Sequence, residues 1–155
     1  MARNDEVRRL RRVISDLRTH SLFFDLPERC LRRAARLGTL NFVARGTKLV
    51  VEGTGSPGLS LVIDGDTQIA VDGRPFVVRH RQSSFGELSL LEPWQTNKAT
   101  VTAETDCRIL QFDRSSYDAL TVAVPQLVER IEAVAHAHLH EAALVRDFRN
   151  KATTR

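Results

Sequence analysis

The sequence predicts an α+β fold in which an antiparallel β unit lies between helical segments. The hydrophobic period is helical at both ends of the 155-residue chain, a length typical of one domain. Seven of the eight glycines lie from Gly38 to Gly73, where they separate short runs of β-forming residues. Such short strands with glycine-bearing turns indicate an antiparallel roll, barrel or sandwich.

Two helices are predicted before the first strand. Apolar residues recur at helical spacing over residues 5–19, and arginines fill the other face. The apolar positions are Val7, Leu10, Val13, Ile14 and Leu17. A shorter helix begins with Pro27 in its first turn and is capped by Gly38.

Seven strands follow in the pattern. The first five are Leu40–Val43, Lys48–Glu52, Leu59–Asp64, Gln68–Val71 and Phe76–His80. After an interruption at residues 86–98, two more are predicted at Ala99–Ala103 and Cys107–Phe112. Asp64-Gly65-Asp66 and Asp72-Gly73 are typical of hairpin turns.

The helical period returns after Asp113. A short helix is predicted over Arg114–Val122, with Asp113 or Ser115 as its cap. Pro125 then opens a long helix that reaches about Asn150. Its apolar stripe is Leu127, Ile131, Val134, Ala135, Leu139, Ala142 and Val145. This stripe repeats at about 3.5 residues, so it fits either a parallel dimer through this helix or packing within one chain.

The chain is therefore predicted to have three segments. They are a basic amphipathic helix at 1–20, a main domain at 21–150 that includes the long helix at 125–150, and a tail at 151–155.

The net charge of +4 hides an asymmetry. Residues 1–48 carry 12 basic and 5 acidic side chains, a balance of +7, and the remaining residues carry 11 and 14, a balance of −3. Of the 23 basic residues 20 are arginine, which suits planar contact with carboxylate or phosphate. A solvated helix face is the favoured interpretation of the basic start. Binding of nucleic acid or an acidic partner through Arg8, Arg9, Arg11 and Arg12 is the alternative.

Composition argues against several classes of protein. No run approaches the ~18 apolar residues of a membrane span, and the charged start lacks the apolar region of a secretory signal. Cys30 and Cys107 are too few for a disulfide framework and fit small buried hydrophobes. We therefore expect a reducing, cytoplasmic compartment.

Two motifs are considered and set aside. Gly53–Gly58 spells G-x-G-x-x-G, but a strand follows it where a dinucleotide site needs a helix. His136 and His140 have a spacing that can hold a metal ion, yet together with His138 they are predicted to be surface histidines. Glu141 is expected to point away from that pair, and no metal is expected. No catalytic motif is found, so the sequence predicts no enzyme.

The run Phe85–Leu91 points to a ligand. It predicts a short helix between two strands, and Gly86 at its start lets the backbone approach a ligand closely. Unpaired N–H groups at a helix start form an anion site. Glu87 has two interpretations, a surface carboxylate favoured by the helix dipole or an acceptor for a sugar hydroxyl.

With Ala99-Thr100-Val101 and Cys107–Phe112, this run resembles the cyclic nucleotide-binding domain family, in which it is the phosphate-binding cassette. The resemblance covers Leu22 to Ala143. Its other parts are Leu22-Phe23, Gly46–Gly53, Val62–Gly65, Tyr117 and Pro125. It implies a β-roll, similar to a double-stranded β-helix or jelly roll, with N-terminal helices and a long C-terminal helix. In the family the nucleotide lies in the roll, its phosphate on the cassette helix, and the C-terminal helix closes as a lid.

The resemblance also implies the site residues. Glu87 would hold the ribose 2′-hydroxyl. The position of the usual phosphate arginine is Asn97, followed by Lys98, and the lid positions that face the base in some relatives are Ala142 and Ala143. The expected ligand-binding residues are Phe85, Gly86, Glu87, Leu88, Ser89, Asn97, Lys98, Ala99 and Thr100, with Leu139, Ala142 and Ala143 on the lid.

The expected function is that of a stand-alone regulatory domain without a cofactor. It would sense cAMP, cGMP or a related phosphorylated ligand and signal to a protein partner or homodimer through its C-terminal helix. A ligand-free β-roll that serves as an interaction or assembly module is the alternative, which Asn97 and the two lid alanines favour. The helix-turn-helix of the family's transcription factors does not follow Asn150, so nucleic acid is not expected as a partner.

Overall fold

The computed structural model describes residues 1–56, 58–92 and 94–153. The helices are α1 (Ala2–Thr19), α2 (Glu28–Leu37), α3 (Glu87–Leu91), α4 (Arg114–Ala123) and α5 (Gln126–Thr153). The strands are β1 (Thr39–Val43), β2 (Lys48–Val50), β3 (Gly58–Asp64), β4 (Thr67–Val71), β5 (Arg74–Arg79), β6 (Ser84–Phe85), β7 (Thr100–Ala103) and β8 (Cys107–Asp113).

The strands form two four-stranded antiparallel sheets. The strand order is β1-β8-β3-β6 in the first sheet and β2-β7-β4-β5 in the second. In the first sheet β8 pairs on both sides, with Leu110 opposite Leu40 of β1 and Leu61 of β3. The predicted β-roll between N-terminal helices and a long C-terminal helix is thus confirmed.

Strand β3 is buried on both of its faces. Leu59 and Leu61 pack into a core shared with the helices, whereas Val62 points into a second core between the sheets. β8 divides its side chains in the same way, with Leu110 and Phe112 toward the helices. Because both faces are covered, six consecutive residues of β3 are buried, and the strand lacks the alternation of a half-exposed strand.

The N-terminal helices cover the first sheet. Val13 and Leu17 of α1 and Leu31 of α2 lie in the helical core, while most of the first half of α1 is exposed. Asp16 of α1 accepts a hydrogen bond of 3.1 Å from Arg108 of β8. Cys30 and Cys107 are free and buried, as expected. Within the described ranges, no helix has the length and apolar character that crossing a bilayer requires.

Most element boundaries agree with the predictions to within two or three residues. Asp113 is the cap of α4, since its carboxylate accepts a hydrogen bond of 2.7 Å from the backbone N–H of Ser116. The Asp72-Gly73 turn has positive φ at both residues, as this type of hairpin turn requires. Strand β6 was not predicted, because two residues show no hydrophobic period.

The apolar stripe of α5 is largely used inside the chain. Leu127 and Ile131 are fully buried in the helical core, and Ala135 and Ala142 are buried farther along the helix. Packing within one chain therefore accounts for most of the stripe. The last two residues of the predicted tail, 154 and 155, lie outside the described residues.

Candidate functional site

A pocket lies between the second sheet, helix α3 and the middle of helix α5. The space around its lining side chains, including the part open to solvent, is ≈ 680 Å³. Much of its wall is apolar, with Ile69 of β4, Phe76 of β5 and Leu139 of α5 among the lining residues. A flat ring with polar groups at its edge suits such a pocket.

The cassette, defined here as residues 85–92 and 94–99, forms one end of the pocket through residues 85–88 and 97–99. Gly86 precedes α3 with φ +88°, and a Cβ at this position would lie 2.2 Å from the carbonyl oxygen of Gly58. Only glycine fits both conditions. The tight turn brings Glu87, which is 2% exposed, into the pocket.

Four polar side chains form a network across the pocket: Glu87, His138, Arg79 and Glu141. His138 Nδ1 is hydrogen-bonded to Glu87 Oε1, and its Nε2 lies 2.7 Å from Arg79 Nη1. Arg79 Nη2 donates to Glu141. Because arginine can only donate, Nε2 accepts, and Nδ1 of a neutral imidazole carries the proton given to Glu87.

This network corrects one expectation. His138 is not a surface histidine, unlike His136 and His140, which are exposed. Glu141 shares Arg79 with His138. Among the described residues, no group of three or more His, Cys, Asp or Glu side chains is placed to hold a metal ion.

Four buried polar atoms of the pocket have no hydrogen-bond partner among the described residues. They are Thr67 Oγ1, Arg79 Nε, Ser83 Oγ and Glu87 Oε2. In the described part of the chain, one other side-chain atom shares this property, Arg108 Nε, and it lies outside the pocket. Buried polar atoms are normally paired, so their concentration here indicates a site for a polar molecule.

Asn97 lines the pocket, but its polar atoms are bonded inside the protein. Its Oδ1 accepts a hydrogen bond of 2.6 Å from Ser56, and its Nδ2 lies 3.5 Å from the oxygens of Val51 and Thr54. Its backbone N–H donates to the carbonyl of Thr54 at 2.8 Å. Asn97 therefore ties the loop at residues 51–56 to the cassette.

The other expected site residues divide into two groups. Seven line the pocket: Phe85, Gly86, Leu88, Lys98, Ala99, Leu139 and Ala142. Three do not. Ser89 donates to the carbonyl of Gln95 and accepts from the N–H of Ser56, both at 3.2 Å. Thr100 Oγ1 accepts from the N–H of Glu52 at 3.1 Å, and Ala143 is exposed.

Sequence reasoning missed the pocket residues outside the cassette, chiefly Thr67, Arg79 and Ser83. The sequence around these residues carries no local signal that distinguishes their side chains from those of ordinary strand and turn residues. His138 was detectable, because it lies three residues after Ala135 and four before Ala142, on the buried face of α5.

Helix α5 is also bonded to the rest of the domain beyond the pocket. Arg146 donates to Glu52 at 2.7 Å and to the carbonyl of Lys98 at 3.1 Å. Arg149 donates to the carbonyl of Val71 and, at 3.0 Å, to that of Arg74. The helix that covers the pocket is therefore also held beyond the pocket, in its C-terminal part.

Comparison with known proteins identifies the domain. A family model described as cyclic nucleotide-binding domain matches residues 40–122, more than half of the chain. The chain is 27% identical over 131 residues to the Pycsar effector protein XpPycTIR of Xanthomonas perforans. The matched region covers 84% of this chain and 43% of that relative. It thus spans less than half the length of that relative.

Two solved structures have the same fold. Cyclic AMP-bound PfPKA-R matches with a TM-score of 0.76 and 20% identity, over 94% of this chain and 49% of that one. The Thermus thermophilus catabolite activator protein matches with a TM-score of 0.69 and 25% identity, over 83% of this chain and 62% of that one. The matched family model covers the cassette and strands of both sheets. The chain belongs to the cyclic nucleotide-binding domain family.

Proposed function

We propose that the chain is a sensor that binds a 3′,5′-cyclic nucleotide in the pocket beneath α5 and signals through that helix. The observation that carries the proposal is the set of four unpartnered buried polar atoms in the pocket. A nucleotide supplies donors and acceptors for such atoms and an apolar ring face for Ile69, Phe76 and Leu139.

Glu87 is the anchor for the sugar in this proposal. Its Oε1 is occupied by His138, whereas its buried Oε2 has no partner among the described residues and is free to accept a ribose hydroxyl. Lys98 lines the same end of the pocket and supplies a positive charge near the phosphate, in place of the family's arginine. Asn97 has no such role, because its side chain is already bonded to the 51–56 loop.

Helix α5 carries the signal in this proposal. It contributes His138, Glu141 and Ala142 to the pocket wall, so a bound nucleotide changes its contacts directly and shifts its preferred position. Leu144 and Phe148 of this helix are 55% and 76% exposed, one turn apart. A protein partner or a second copy of the chain would contact α5 there. The free cysteines favour a cytoplasmic setting.

Isothermal titration calorimetry with cAMP and cGMP tests the sensor. We expect both proteins with an intact pocket, the wild type and Glu129→Gln, to bind the same nucleotide with equal affinity, because Glu129 is exposed on α5. Glu87→Gln should bind at least about tenfold more weakly, since it loses a charge-assisted hydrogen bond.

Two results would contradict the proposal. One is the absence of heat and of thermal stabilisation at millimolar cAMP or cGMP. The other is equal affinity of the Glu87→Gln variant and the wild type, which would show that the nucleotide binds elsewhere.

A ligand-free interaction module is the second candidate. The specific observation in its favour is that α5 side chains already engage the pocket, with His138 on Glu87 and Glu141 on Arg79. In that case nucleotides would leave the thermal unfolding temperature unchanged. Substitution of Leu144 and Phe148 by serine would then abolish a complex seen by size-exclusion chromatography with light scattering.

A further inference from the structure

Arg79 is a pocket residue that the cassette does not supply. It is the last residue of β5 in the second sheet, and it lies opposite Thr67, the first residue of β4. Its side chain is 25% exposed, and its Nε is buried without a partner among the described residues. An arginine in this position brings a permanent positive charge and several donors into a wall that is otherwise largely apolar.

The present partners of Arg79 both come from α5. Glu141 faces it with a carboxylate, and His138 faces it with an imidazole nitrogen that accepts. These are the two kinds of group, an anionic oxygen and a neutral acceptor, that a nucleotide offers through its phosphate and its base. The side chains of α5 therefore occupy donors that a ligand would use.

The network also shows where Arg79 lies relative to Glu87, the residue proposed to hold the ribose. Glu87 lies at the cassette end, and one imidazole separates it from Arg79. A nucleotide anchored by its ribose at Glu87 is large enough to extend past His138 to Arg79.

We propose that Arg79 is a ligand-binding residue of the pocket and that Glu141 is the internal anion that competes with the ligand for it. This inference rests on the proposed function, because it names how the same pocket is filled and released. The group that Arg79 takes is an acceptor oxygen of the nucleotide, on the phosphate or on the base. When the ligand takes Arg79, Glu141 is released, and α5 loses one of its contacts with β5.

The two members of this ion pair should have opposite effects on binding. Arg79→Met removes the donors and is expected to weaken binding by about 10- to 150-fold. Glu141→Gln keeps the shape but removes the competing charge, and is expected to tighten binding by up to about fivefold, the range of a partly exposed ion pair. A merely structural pair would give losses of the same sign in both variants.

Calorimetric titration of cAMP and cGMP into both variants measures this. Cyclic AMP has no base carbonyl and cGMP has one, so the nucleotides separate the two sources of the acceptor. An equal loss for both in Arg79→Met assigns the contact to the sugar–phosphate, and a loss for cGMP alone assigns it to the base carbonyl. Arg32→Met and Glu28→Gln break an exposed ion pair of α2 and serve as matched controls with unchanged affinity.

The inference is overturned if Arg79→Met binds both nucleotides with wild-type affinity, or if Glu141→Gln weakens binding as Arg79→Met does. If Arg79→Met does not fold, Arg79→Lys keeps the charge, and the tightening by Glu141→Gln remains a complete test by itself. Failure of the proposed function is a different result, in which neither the wild type nor Glu141→Gln binds any nucleotide.

Discussion

His20 is a single residue that connects the N-terminal helix to the pocket. It is 1% exposed, and its Nδ1 accepts a hydrogen bond of 3.2 Å from the N–H of Leu22. Nε2 therefore carries the proton and donates to the carbonyl of Ser83, 3.3 Å away at the edge of the pocket. Burial lowers the pKa of His20 to about 4, and the hydrogen bond to Ser83 offsets only part of this effect.

The lowered pKa of His20 predicts a pH dependence of stability. Between pH 6.5 and about 4 the unfolded state binds a proton at His20 that the folded state excludes. The contribution of His20 to the free energy of unfolding is therefore fully present above pH 6.5 and is lost as the pH falls to about 4. Urea unfolding at pH 7.5 and 5.0 measures this dependence. Between these two pH values the free energy of unfolding should fall by about 2 kcal/mol less in His20→Asn than in the wild type.

Carboxylates that titrate in the same range are present in both proteins, so their contributions to the pH dependence cancel in this comparison. His140→Gln is the matched control, since His140 is exposed and its removal should leave the wild-type profile. Identical losses in His20→Asn and the wild type would show that His20 does not titrate in this way.

Among the elements, the junction of β6 and α3 decides whether the cassette forms. The turn needs a left-handed residue at Gly86, and the close carbonyl of Gly58 leaves no room for a side chain. α4 is fixed more simply, by a capping carboxylate whose pKa is lowered by the N–H and hydroxyl of Ser116. The junction of β6 and α3 thus depends on a strand that is distant in sequence, whereas the cap of α4 depends only on neighbouring residues.

Replacement of Gly86 by alanine separates these two requirements. Gly73→Ala is the control, because Gly73 also has positive φ, at +75°, but nothing lies within 4 Å of an added Cβ. We expect the free energy of unfolding of the control to fall by about 1 kcal/mol, because alanine is strained in the left-handed conformation. Gly86→Ala should lose distinctly more, measured by urea unfolding, and should no longer bind nucleotide. Equal losses would mean that the carbonyl of Gly58 moves away freely.

At the scale of the whole molecule, α5 connects parts of the chain that are far apart in sequence. Near its start, Arg130 donates to the carbonyls of Leu22 at 3.0 Å and Phe24 at 2.6 Å, in the turn that follows α1. Ser21 of the same turn donates to the carbonyl of Gln82 at 2.9 Å, beside the pocket. The pocket, α1 and α5 thus share a continuous set of hydrogen bonds.

The far half of α5 should be held chiefly by its arginines, because Leu144 and Phe148 are exposed there. Arg146→Met removes the bonds to Glu52 and to the carbonyl of Lys98. Hydrogen exchange followed by mass spectrometry should then be faster in residues 143–153 and unchanged in α2. Arg45→Met, a change at an exposed turn residue, should alter neither region. Unchanged exchange in 143–153 would mean that other contacts hold this part of the helix.

Much of the fold could be predicted because its signals are local. The Asp72-Gly73 turn, the cap at Asp113 and the periods of α1 and α5 depend on residues a few positions apart, and all are present in the structure. The cassette could be predicted as well, since Gly86 and Glu87 lie within one short run. The strand β6 could not, because its two residues become a strand only by pairing with β3.

The sequence by itself determined the class of fold, the family and the cassette with its glutamate, whereas the burial of Glu87 is known only from the structure. Only the tertiary structure decided what else enters the pocket. Arg79 and His138 are 59 residues apart, and Glu87 and His138 are 51 apart. Their meeting depends on the register of β5 against β4 and on where α5 docks, which no local pattern encodes. For the same reason Asn97, which stands at a ligand position in sequence, is a structural cross-link in space.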